Sequence, residues 1–328
     1  MKVSVCIPTY NGGELLRESI LSALAQTRPP DEVIVVDDGS TDPTAEAICA
    51  SLGPAVRYVR QENDGTMGGG ARQRAIREAR GEWLALLDHD DLWLPDKLEK
   101  QLAAAEAEPE AALVFTRYRN VDERGRELPG GDGAEHVGGR RLAADEAFHL
   151  LLTQNPFCPS SALVRREAAA PHLLTDMRTV GCGDWELWFT VARHHPVLVL
   201  GEVLTEYRVL PTQFCANKHQ LAVTMRRTLA AQRARFHPGC ARCEESFAEG
   251  MAHVSDVFAV AARAYLDRCH ESARGGRLSD ALASLRGAVS AAPREVLRPR
   301  RAAALLRSLL AGAAGGGRRE RGAARRTF

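Results

Sequence analysis

Two aspartates separated by one residue, Asp88 and Asp90, follow an apolar run that ends at Leu87. Carboxylates at positions i and i+2 just past the end of a strand can both reach one hard divalent cation. Such a cation can bridge to a diphosphate and neutralise the charge of a leaving group. The competing interpretation is an acidic cap on the helix that continues from Pro95. Because other polar clusters follow neighbouring strands, we favour the metal site.

A second acidic cluster begins at Asp37, directly after the β-branched run at 33–36. Asp38 could accept a hydrogen bond from the ring N–H of a uracil, and Tyr10 could stack on the same base. The alternative is a type I turn, for which Asp-Gly-Ser is suitable. The glycines at 68–70 enter a helix, and such helix N-termini hold phosphate well. They match neither the P-loop nor the dinucleotide-binding fingerprint.

The elements that must position these groups alternate between strands and helices. Four strands are predicted with three helices between them, the strands at 3–7, 33–36, 56–59 and 83–87 and the helices at 16–24, 44–52 and 71–80. This order predicts right-handed crossovers and a mainly parallel sheet flanked by helices on both faces. Ligands bind such a sheet at the carboxyl ends of its strands, where the polar clusters lie.

The pattern changes after residue 110. We predict helices at 95–108 and 184–193, and strands at 112–119, 160–164, 197–200 and 203–209, the last two split by a Gly-Glu turn. Residues 125–140 hold many glycines and charges and are predicted to form a mobile loop. From about Asn217 onward the patterning is only helical, and 315–328 is predicted to be a basic, disordered tail.

Four segments then stand in order along the chain: VSVCIPTYNG at 3–12, VIVVDDGSTD at 33–42, LLDHDDLW at 86–93 and GDWELW at 183–188. Together they resemble the family 2 inverting glycosyltransferases of the GT-A fold. The last segment is similar to the Glu-Asp-Trp-Glu-Leu-Trp stretch that holds the catalytic base of that family. The likeness covers roughly residues 1–215, and four ordered motifs make it specific.

The resemblance implies an α/β domain of the GT-A type at 1–215, with a nucleotide-sugar-binding half at 1–110 and an acceptor half at 111–215. Residues 216–314 would be a helical C-terminal extension. The nucleoside, usually uridine, would be held by Pro8, Thr9, Tyr10 and Asp38. Arg72 would reach the base or the diphosphate.

The resemblance also implies the chemistry. Asp88 and Asp90 would be the Asp-x-Asp pair, with Asp90 the direct ligand of Mn²⁺ or Mg²⁺. Asp184 would take the proton from the acceptor hydroxyl as it attacks the anomeric carbon, which gives a single displacement with inversion. The residue types agree with these roles, because a positioned carboxylate helps a poor nucleophile and a dication stabilises a departing diphosphate.

Three residues depart from the family pattern. Gly183 stands where a Glu often precedes the base, and Gln73 stands where the family usually has Asn. His89 is bulkier than the common middle residue of the acidic motif. We expect His89 to be a solvent-facing spacer, and contact with the metal or the nucleotide is the alternative. None of the three departures removes a group that the chemistry requires.

Charge is unevenly distributed over the 328 residues. The whole chain carries a net charge of +1, whereas the residues from Ala291 onward hold ten arginines against two glutamates, a net charge of +8. The apolar segment at 302–310, flanked by arginines, could lie on an anionic membrane surface or form a solvated basic helix. Aromatic residues make up only 5% of the chain, so we expect no nucleic-acid partner.

The eight cysteines form no repeating framework, and the N-terminal residues lead directly into an apolar strand. We therefore predict a cytoplasmic protein, peripheral at the inner face of the membrane if the basic segment binds lipid. Cys240 and Cys243, with Cys269 and His270, could form a structural zinc site. That spacing is incomplete, and the question stays open.

The predicted activity is transfer of a hexose or N-acetylhexosamine from a UDP-sugar to a saccharide or lipid-linked saccharide, as in polysaccharide biosynthesis. A nucleotidyltransferase is one alternative, but it would be expected to carry a basic, glycine-rich loop after the first strand, and residues 8–13 contain no Arg or Lys. A non-catalytic nucleotide- or sugar-binding protein is the other. The retained Asp88, Asp90 and Asp184 argue against it.

Overall fold

A computed structural model describes residues 1–130, 132–180, 182–211, 213–275, 277–298 and 301–309, without the side chains of 179 and 180. Its contacts divide the chain into two compact units. The first holds Met1–Gln213 and Arg227–Gly250, and the second holds Phe214–Arg226 and the described residues from Met251 onward. This division differs from the predicted single boundary at residue 215, because 227–250 packs with the first unit. The predicted tail at 315–328 lies outside the described residues.

The first unit begins with a parallel sheet. Its strands are β1 (Val3–Thr9), β2 (Glu32–Asp37), β3 (Val56–Arg60) and β4 (Trp83–Leu86), connected by α1 (Gly13–Leu24), α2 (Thr44–Ser51) and α3 (Gly69–Glu78). The strands lie in the spatial order β3-β2-β1-β4 and all pair in parallel. Every residue of β1 is buried. Burial on both faces explains why β1, β2 and β4 are largely apolar, whereas β3 at the edge of the sheet carries Arg57 and Arg60 and is partly exposed.

The rest of the sheet is mixed. It contains β5 (Leu92–Trp93), β6 (Leu113–Val121), β7 (Arg140–Leu142), β8 (Ala162–Arg165) and β9 (Val197–Arg208), with α4 (Lys97–Ala107), α5 (Ala144–Thr153), α6 (Arg166–Ala169), α7 (Met177–Val180) and α8 (Gly183–Ala192). β8 lies antiparallel between β4 and β6, and β9 is parallel to β6 but antiparallel to β5 and β7. The predicted α/β class, a sheet flanked by helices, is confirmed.

The predicted division of β9 into two strands is wrong. In its register with β6, Phe115 pairs with Val199 and Arg117 pairs with Val203, so β9 advances four residues while β6 advances two. The extra residues form a bulge that contains the exposed Gly201. A glycine inside a strand often marks a bulge, so the residue that suggested a turn instead offsets the register.

The C-terminal part of the described chain is helical, as predicted. It comprises α9 (Lys218–Gln232), α10 (Ala241–Arg274), α11 (Leu278–Ala291), α12 (Pro293–Val296) and a helical stretch at 301–309. In the second unit, Leu266, Val296 and Leu305 belong to one buried apolar cluster. Leu305 of the proposed membrane-facing segment is therefore packed inward, while Leu306 is 60% exposed. None of the described helices is both long enough and apolar enough to cross a bilayer.

A buried lysine lies in the core of the first unit. Lys97, the first residue of α4, is fully buried, donates to Gln101 Oε1 at 2.8 Å and sits 4.1 Å above the Trp93 ring. The Gln101 amide donates in turn to the carbonyls of Val114 and Ser161 at 2.7 and 2.9 Å. Burial lowers the pKa of Lys97 to about 7. This chain of contacts attaches α4 to β6 and to the start of β8.

Candidate active site

The carboxyl ends of β1 and β2 bring the predicted nucleoside residues together. Pro8 and Thr9 end β1, and the backbone N–H of Asp38 donates to the Thr9 carbonyl at 2.8 Å. The Thr9 and Asp38 side chains are buried, whereas Tyr10 is 46% exposed. Buried polar groups thus lie beside an exposed aromatic ring at one edge of the sheet, an arrangement suited to hold a flat polar ring.

The first aspartate of the second cluster is structural. Asp37 is fully buried and accepts hydrogen bonds from the Ser40 N–H at 2.7 Å, the Tyr58 hydroxyl at 2.6 Å and the Arg60 guanidinium at 3.1 Å. These bonds hold the turn that follows β2 and attach it to β3. Asp37 therefore holds the turn, and the ligand-binding role predicted for this cluster is left to Asp38.

Asp38 has a different environment from its neighbour. Its carboxyl accepts one hydrogen bond from Gln61 Nε2 at 2.8 Å, and burial raises the pKa of the group. Gln61 also borders an open cleft of about 490 Å³, which is lined by Gly39, Arg60, Gln61, Glu62 and Asn63. Asp38 thus adjoins two of the residues that line the cleft, Gln61 through its hydrogen bond and Gly39 along the chain.

One arginine lies between the two halves of the predicted site. Arg72 of α3 is 7% exposed and donates to Asp88 Oδ1 at 2.7 Å. Burial opposes its charge, but the carboxylates of Asp88 and Asp184 outweigh that effect and raise the pKa of Arg72. Its buried Nε has no hydrogen-bond partner among the described residues. The geometry therefore supplies a permanent cation with an unused donor.

The two aspartates of the acidic motif are both held in place. Hydrogen bonds engage Oδ1 of Asp88, through Arg72, and Oδ2 of Asp90, through Gln213 Nε2 at 2.8 Å. Within the described ranges, no hydrogen bond engages the other oxygen of either carboxylate. Carboxylate oxygens are preferred ligands of hard divalent cations, and outer partners that orient them strengthen such sites. The residues present fit the predicted metal.

His89 lies between these aspartates and packs on the loop after β1. A Cβ atom at Gly12 would come within 2.9 Å of His89 Cδ2 and 2.6 Å of Thr9 Oγ1. The imidazole is half-buried there rather than facing solvent. Gly12 is therefore needed for the close approach, and His89 connects the acidic motif to the nucleoside loop.

A further aspartate, Asp91, anchors the acidic motif to other parts of the first unit. Asp91 is fully buried and accepts hydrogen bonds from Ser160 Oγ at 2.5 Å and from the Arg208 backbone N–H at 2.9 Å. Burial, together with the charges of Asp90 and Asp88, raises the pKa of Asp91 well above its ordinary value. Ser160 Oγ also accepts the Asp88 N–H at 2.9 Å. The loop is thereby fixed to β8 and to the end of β9.

Asp184 lies in the first turn of α8, which begins at Gly183. Its Oδ2 accepts a hydrogen bond from Asn155 Nδ2 at 3.1 Å. Burial raises the pKa of the carboxyl, and the Arg72 charge partly offsets this effect. A carboxylate whose proton affinity is raised by burial is a stronger base than an exposed one.

Comparison with known families decides the identity. The profile of Glycosyl transferase family 2 matches residues 4–173. This range contains the segments at 33–42 and 86–93, nearly all of the segment at 3–12, and the glycine-rich entry to α3. The chain belongs to glycosyl transferase family 2. The match favours glycosyl transfer over the nucleotidyl transfer and the non-catalytic role weighed from the sequence.

Relatives of this chain include an uncharacterised glycosyltransferase of Rickettsia typhi, 33% identical over 214 residues. The match covers 64% of this chain and 65% of that protein, whereas a match to a Rickettsia bellii glycosyltransferase covers only 18% of the longer relative. The putative teichuronic acid biosynthesis glycosyltransferase TuaG of Bacillus subtilis is 30% identical over 67% of this chain and 84% of its own length.

Two solved structures share the fold. Staphylococcus aureus TarS, crystallised with UDP-GlcNAc, superposes with a TM-score of 0.58 at 16% identity, over 89% of this chain and 93% of the TarS fragment. The mannosyltransferase PcManGT of Pyrobaculum calidifontis, crystallised with GDP-Man and Mn²⁺, gives a TM-score of 0.59 at 21% identity, over 96% and 86% of the two chains. The predicted GT-A fold is confirmed.

Two departures of this chain from the family motifs have local explanations. A Cβ at Gly183 would lie 3.1 Å from Met177 Sδ and 3.2 Å from the Gly69 Cα. The start of α8 therefore packs too closely on the start of α3 to accept the usual Glu without a shift. The Gln73 amide reaches two backbone carbonyls, those of His172 and Thr175, at 2.7 and 2.9 Å.

Glu186, the second acidic residue of the segment at 183–188, is not available as a base. Glu186 is 1% exposed and accepts hydrogen bonds from Gln232 at 2.6 Å and from Arg235 at 2.6 Å. Burial raises the pKa of Glu186, and the Arg235 charge counteracts it. Glu186 thus anchors the segment at 227–250 to the first unit and leaves Asp184 as the carboxylate of α8 near Arg72.

The predicted phosphate site at the N-terminus of α3 is already engaged by the protein. The Gly70 N–H donates to Thr66 Oγ1 at 2.7 Å, and the Arg72 N–H donates to the Gly68 carbonyl at 2.9 Å. The backbone amides therefore offer little to a diphosphate. The Arg72 side chain is the cationic group that α3 presents at this edge.

Sequence reasoning missed Gln213 and Asn155, which hold Asp90 and Asp184. Both lie in loops after an element that ends near the site, Asn155 directly before Pro156 and Gln213 two positions after Pro211. That position was the only signal, since a lone amide side chain carries no motif. Asp91 was visible in the acidic cluster, but its burial depends on Ser160 and Arg208, which are distant in sequence.

Proposed function

We propose that this family 2 enzyme transfers a sugar from a UDP-sugar to an acceptor hydroxyl, with inversion and with Asp184 as general base. The observation that carries the proposal is the position of Arg72. Its buried guanidinium contacts Asp88 of the donor motif and is electrostatically coupled to Asp184 of the acceptor motif. Donor activation and proton removal therefore share one cationic centre.

The donor side of the mechanism follows from the residues at the strand ends. Asp38 accepts the ring N–H of uracil, Tyr10 stacks on the base, and Pro8 and Thr9 shape the nucleoside loop. The unused Nε donor of Arg72 points to a role in binding the diphosphate. His89, which packs on the same loop, orients the acidic motif against the nucleoside.

Asp88 and Asp90 would hold Mn²⁺ or Mg²⁺, with Asp90 as the direct ligand. When bound, the cation supplies charge neutralisation for the departing diphosphate. Gln213 and Arg72 orient the two carboxylates toward that position. PcManGT was crystallised with Mn²⁺, which supports a divalent cation in this fold.

On the acceptor side, Asp184 removes the proton as the hydroxyl oxygen forms its bond to the anomeric carbon and the bond to the diphosphate breaks. Asn155 holds one oxygen of Asp184 and leaves the other for the acceptor. The single displacement inverts the anomeric configuration. The base keeps the proton until it exchanges with solvent after product release.

The donor and the acceptor are proposed from the relatives as well as from the site. TarS was crystallised with UDP and with UDP-GlcNAc, and TuaG carries a name from teichuronic acid biosynthesis. We infer a hexose or N-acetylhexosamine donor and a saccharide or lipid-linked saccharide acceptor. A cytoplasmic location, peripheral at the inner membrane face through the arginines after Ala291, completes the proposal.

The donor site is tested by calorimetric titration of UDP, GDP and other nucleoside diphosphates into the purified protein, with and without Mn²⁺. UDP should bind most tightly, and Mn²⁺ should strengthen its binding. Asp90→Ala should remove the metal-dependent part alone. If no nucleoside diphosphate binds under any metal condition, the assignment of the donor site fails.

The catalytic base is tested by Asp184→Asn. The amide cannot accept the acceptor proton, so turnover should fall by about 10²–10⁴-fold, while the affinity for UDP stays unchanged. The measurement is UDP release with a panel of UDP-sugars and saccharide acceptors. Unchanged turnover would show that another group removes the proton.

A further inference from the structure

Four potential metal ligands meet in the first unit, outside the site described above. Their ligand atoms all lie within 4.8 Å of one another, and they belong to His149, His237, Cys240 and Cys243. His149 is 4% exposed and Cys243 is fully buried, while the other two side chains are half-buried. The Cys240–Cys243 pair is therefore completed by two histidines that its spacing did not indicate.

The partners considered from the sequence lie elsewhere. Cys269 is buried in the apolar cluster of the second unit, beside Leu266 and Ala273. His270 shares a hydrogen bond of 2.8 Å with Ser308 Oγ. The set with Cys269 and His270 was therefore wrong, because both residues have other neighbours.

The local backbone turns three of the four side chains to one side. The Cys240 N–H donates to the His237 carbonyl at 3.1 Å, and the Cys243 N–H donates to the Cys240 carbonyl at 3.2 Å. Gly239 has a φ of +70°, which a glycine adopts without strain. The turn leads into α10, whose first residues include Cys243. The fourth side chain, His149, comes from α5.

The separations agree with a single bound cation. His149 Nε2 lies 3.5 Å from Cys240 Sγ and 3.4 Å from Cys243 Sγ, and His237 Nδ1 lies 3.6 Å from Cys243 Sγ. With the usual Zn–S and Zn–N bond lengths, tetrahedral geometry places nitrogen and sulfur about 3.6 Å apart. A thiol hydrogen bond accounts for one of the His149 contacts only, since the ring nitrogen has one in-plane lone pair.

The ligand types select the metal. Thiolate and imidazole prefer zinc, whereas Mn²⁺ and Mg²⁺ prefer the oxygen ligands that Asp88 and Asp90 supply. Two thiolates balance the charge of one dication, so the loaded site is neutral and tolerates burial. Binding releases the two thiol protons to solvent.

The position of the cluster indicates a structural role. His149 neighbours Phe148, whose ring contacts Phe189 of α8 at a centroid distance of 5.5 Å. The Trp185 indole of α8 donates to the Leu151 carbonyl of α5 at 3.1 Å. Metal binding at His149 would therefore stabilise α5, which packs against α8, the helix that carries Asp184.

We propose that this glycosyltransferase contains a structural zinc site, separate from its Asp-x-Asp motif, that fastens the turn at 237–243 to α5 through His149, His237, Cys240 and Cys243. The four protein ligands close the coordination sphere and leave no position for substrate. The zinc ion stabilises the fold and takes no part in glycosyl transfer.

The first experiment measures the metal in the full-length protein purified without chelators from zinc-containing medium. We expect one zinc per chain by elemental analysis, retained after dialysis that removes Mn²⁺. Replacement with Co²⁺ should give a thiolate-to-cobalt charge-transfer band and the intense d–d absorption of tetrahedral cobalt. Zinc-free protein that shows neither feature with Co²⁺ would overturn the proposal.

Matched variants locate the ion. Cys240→Ser and Cys243→Ser should each lose the zinc and lower the thermal midpoint, whereas Cys269→Ser and Asp90→Ala should keep one zinc per chain. If the first two variants do not fold, the cobalt spectrum of the wild-type chain still decides. Zinc retained by a double Cys240→Ser, Cys243→Ser variant would overturn the assignment of the ligands.

Discussion

At the scale of single residues, the site is organised around buried groups whose charges depend on one another. Arg72 pairs with Asp88 and stabilises the ionised form of Asp184, although its own burial disfavours its charge. Removing it leaves two carboxylates facing each other across a poorly solvated site. The protonation of the proposed base is thus controlled by a residue from the donor half.

This coupling predicts a pH dependence. The base must be ionised, and burial raises the pKa of Asp184 above the ordinary 3.8, so activity should be lost on acidification at a higher pH than for an exposed aspartate. Arg72→Met removes the charge that lowers this pKa and should move the acidic limb of kcat to still higher pH. The limb is measured at saturating donor concentration.

The control for this prediction is Arg74→Met in the same helix. Its guanidinium bonds to Glu78 and is 43% exposed, so the acidic limb should stay in place. An Arg72→Met profile that coincides with the wild-type profile would contradict the coupling.

A second prediction concerns Gln213, which orients Asp90. Gln213→Leu removes the hydrogen bond to Oδ2 and should weaken Mn²⁺ binding by about 10–100-fold. The affinity for UDP without metal should not change, because the described side-chain hydrogen bonds of Gln213 go to Asp90 and to the backbone at Arg208 and Leu210 rather than to the nucleoside residues. Calorimetry with each ligand separates the two effects. Gln220→Leu in α9 is the matched control, and equal weakening in both variants would exclude the orienting role.

The strand-end clusters predicted from the sequence alone that the donor residues lie at one edge of the sheet. Pro8, Thr9 and Asp38 follow consecutive strands, so a parallel sheet had to bring them together. The residues that hold the carboxylates could not be foreseen in this way. Gln213 lies 123 positions from Asp90, and only the tertiary fold specifies that pairing.

At the scale of elements, α4 illustrates where patterning fails. A lysine at the start of an amphipathic helix predicts a solvent-facing side chain, yet Lys97 is fully buried. Tertiary packing against Trp93 and the hydrogen bond to Gln101 override the pattern. The bulge in β9 was missed for the same reason. A glycine in the sequence is compatible with a turn or with a register offset, and only the partner strand decides between them.

The buried lysine predicts a stability profile. Its folded pKa of about 7 lies below the ordinary lysine value of 10.5, so the unfolded chain binds more protons between these values. The free energy of unfolding should therefore rise with pH in this window, by up to about 1.4 kcal/mol per pH unit from this group. Lys97→Met should flatten the rise and stabilise the protein at its lower end.

Urea unfolding across that window, compared between wild type and variant, checks the prediction. Lys100→Met is the control, since Lys100 lies in the same helix but is 39% exposed and paired with Asp96. Its profile should parallel that of the wild type. A Lys97→Met profile of equal slope would mean that the buried amine stays charged.

At the scale of the whole molecule, charge is concentrated beyond Ala291, where ten arginines oppose two glutamates. Sedimentation with vesicles containing phosphatidylserine should recover the protein at low salt, because each basic residue near such a surface contributes about 1 kcal/mol. Added salt should release it. Deletion of 311–328, which removes five arginines, should weaken binding.

Neutral phosphatidylcholine vesicles are the control, and binding to them should be negligible. Equal recovery with neutral and anionic vesicles would contradict an electrostatic contact. Because Leu305 is packed inward, we expect the attraction between this segment and the vesicles to come mainly from charge rather than from insertion of apolar side chains.

The bracing of the acidic motif has a consequence for synthesis on the ribosome. Asp91 accepts its backbone hydrogen bond from Arg208, which is added 117 residues later. At about 5–20 residues per second, that delay is roughly 6–23 s. During this time the nascent Asp88–Asp91 loop lacks its anchor, and so does Asp90 until Gln213 emerges. Competence to bind the metal should therefore arise late, after the translation of β9 and Gln213.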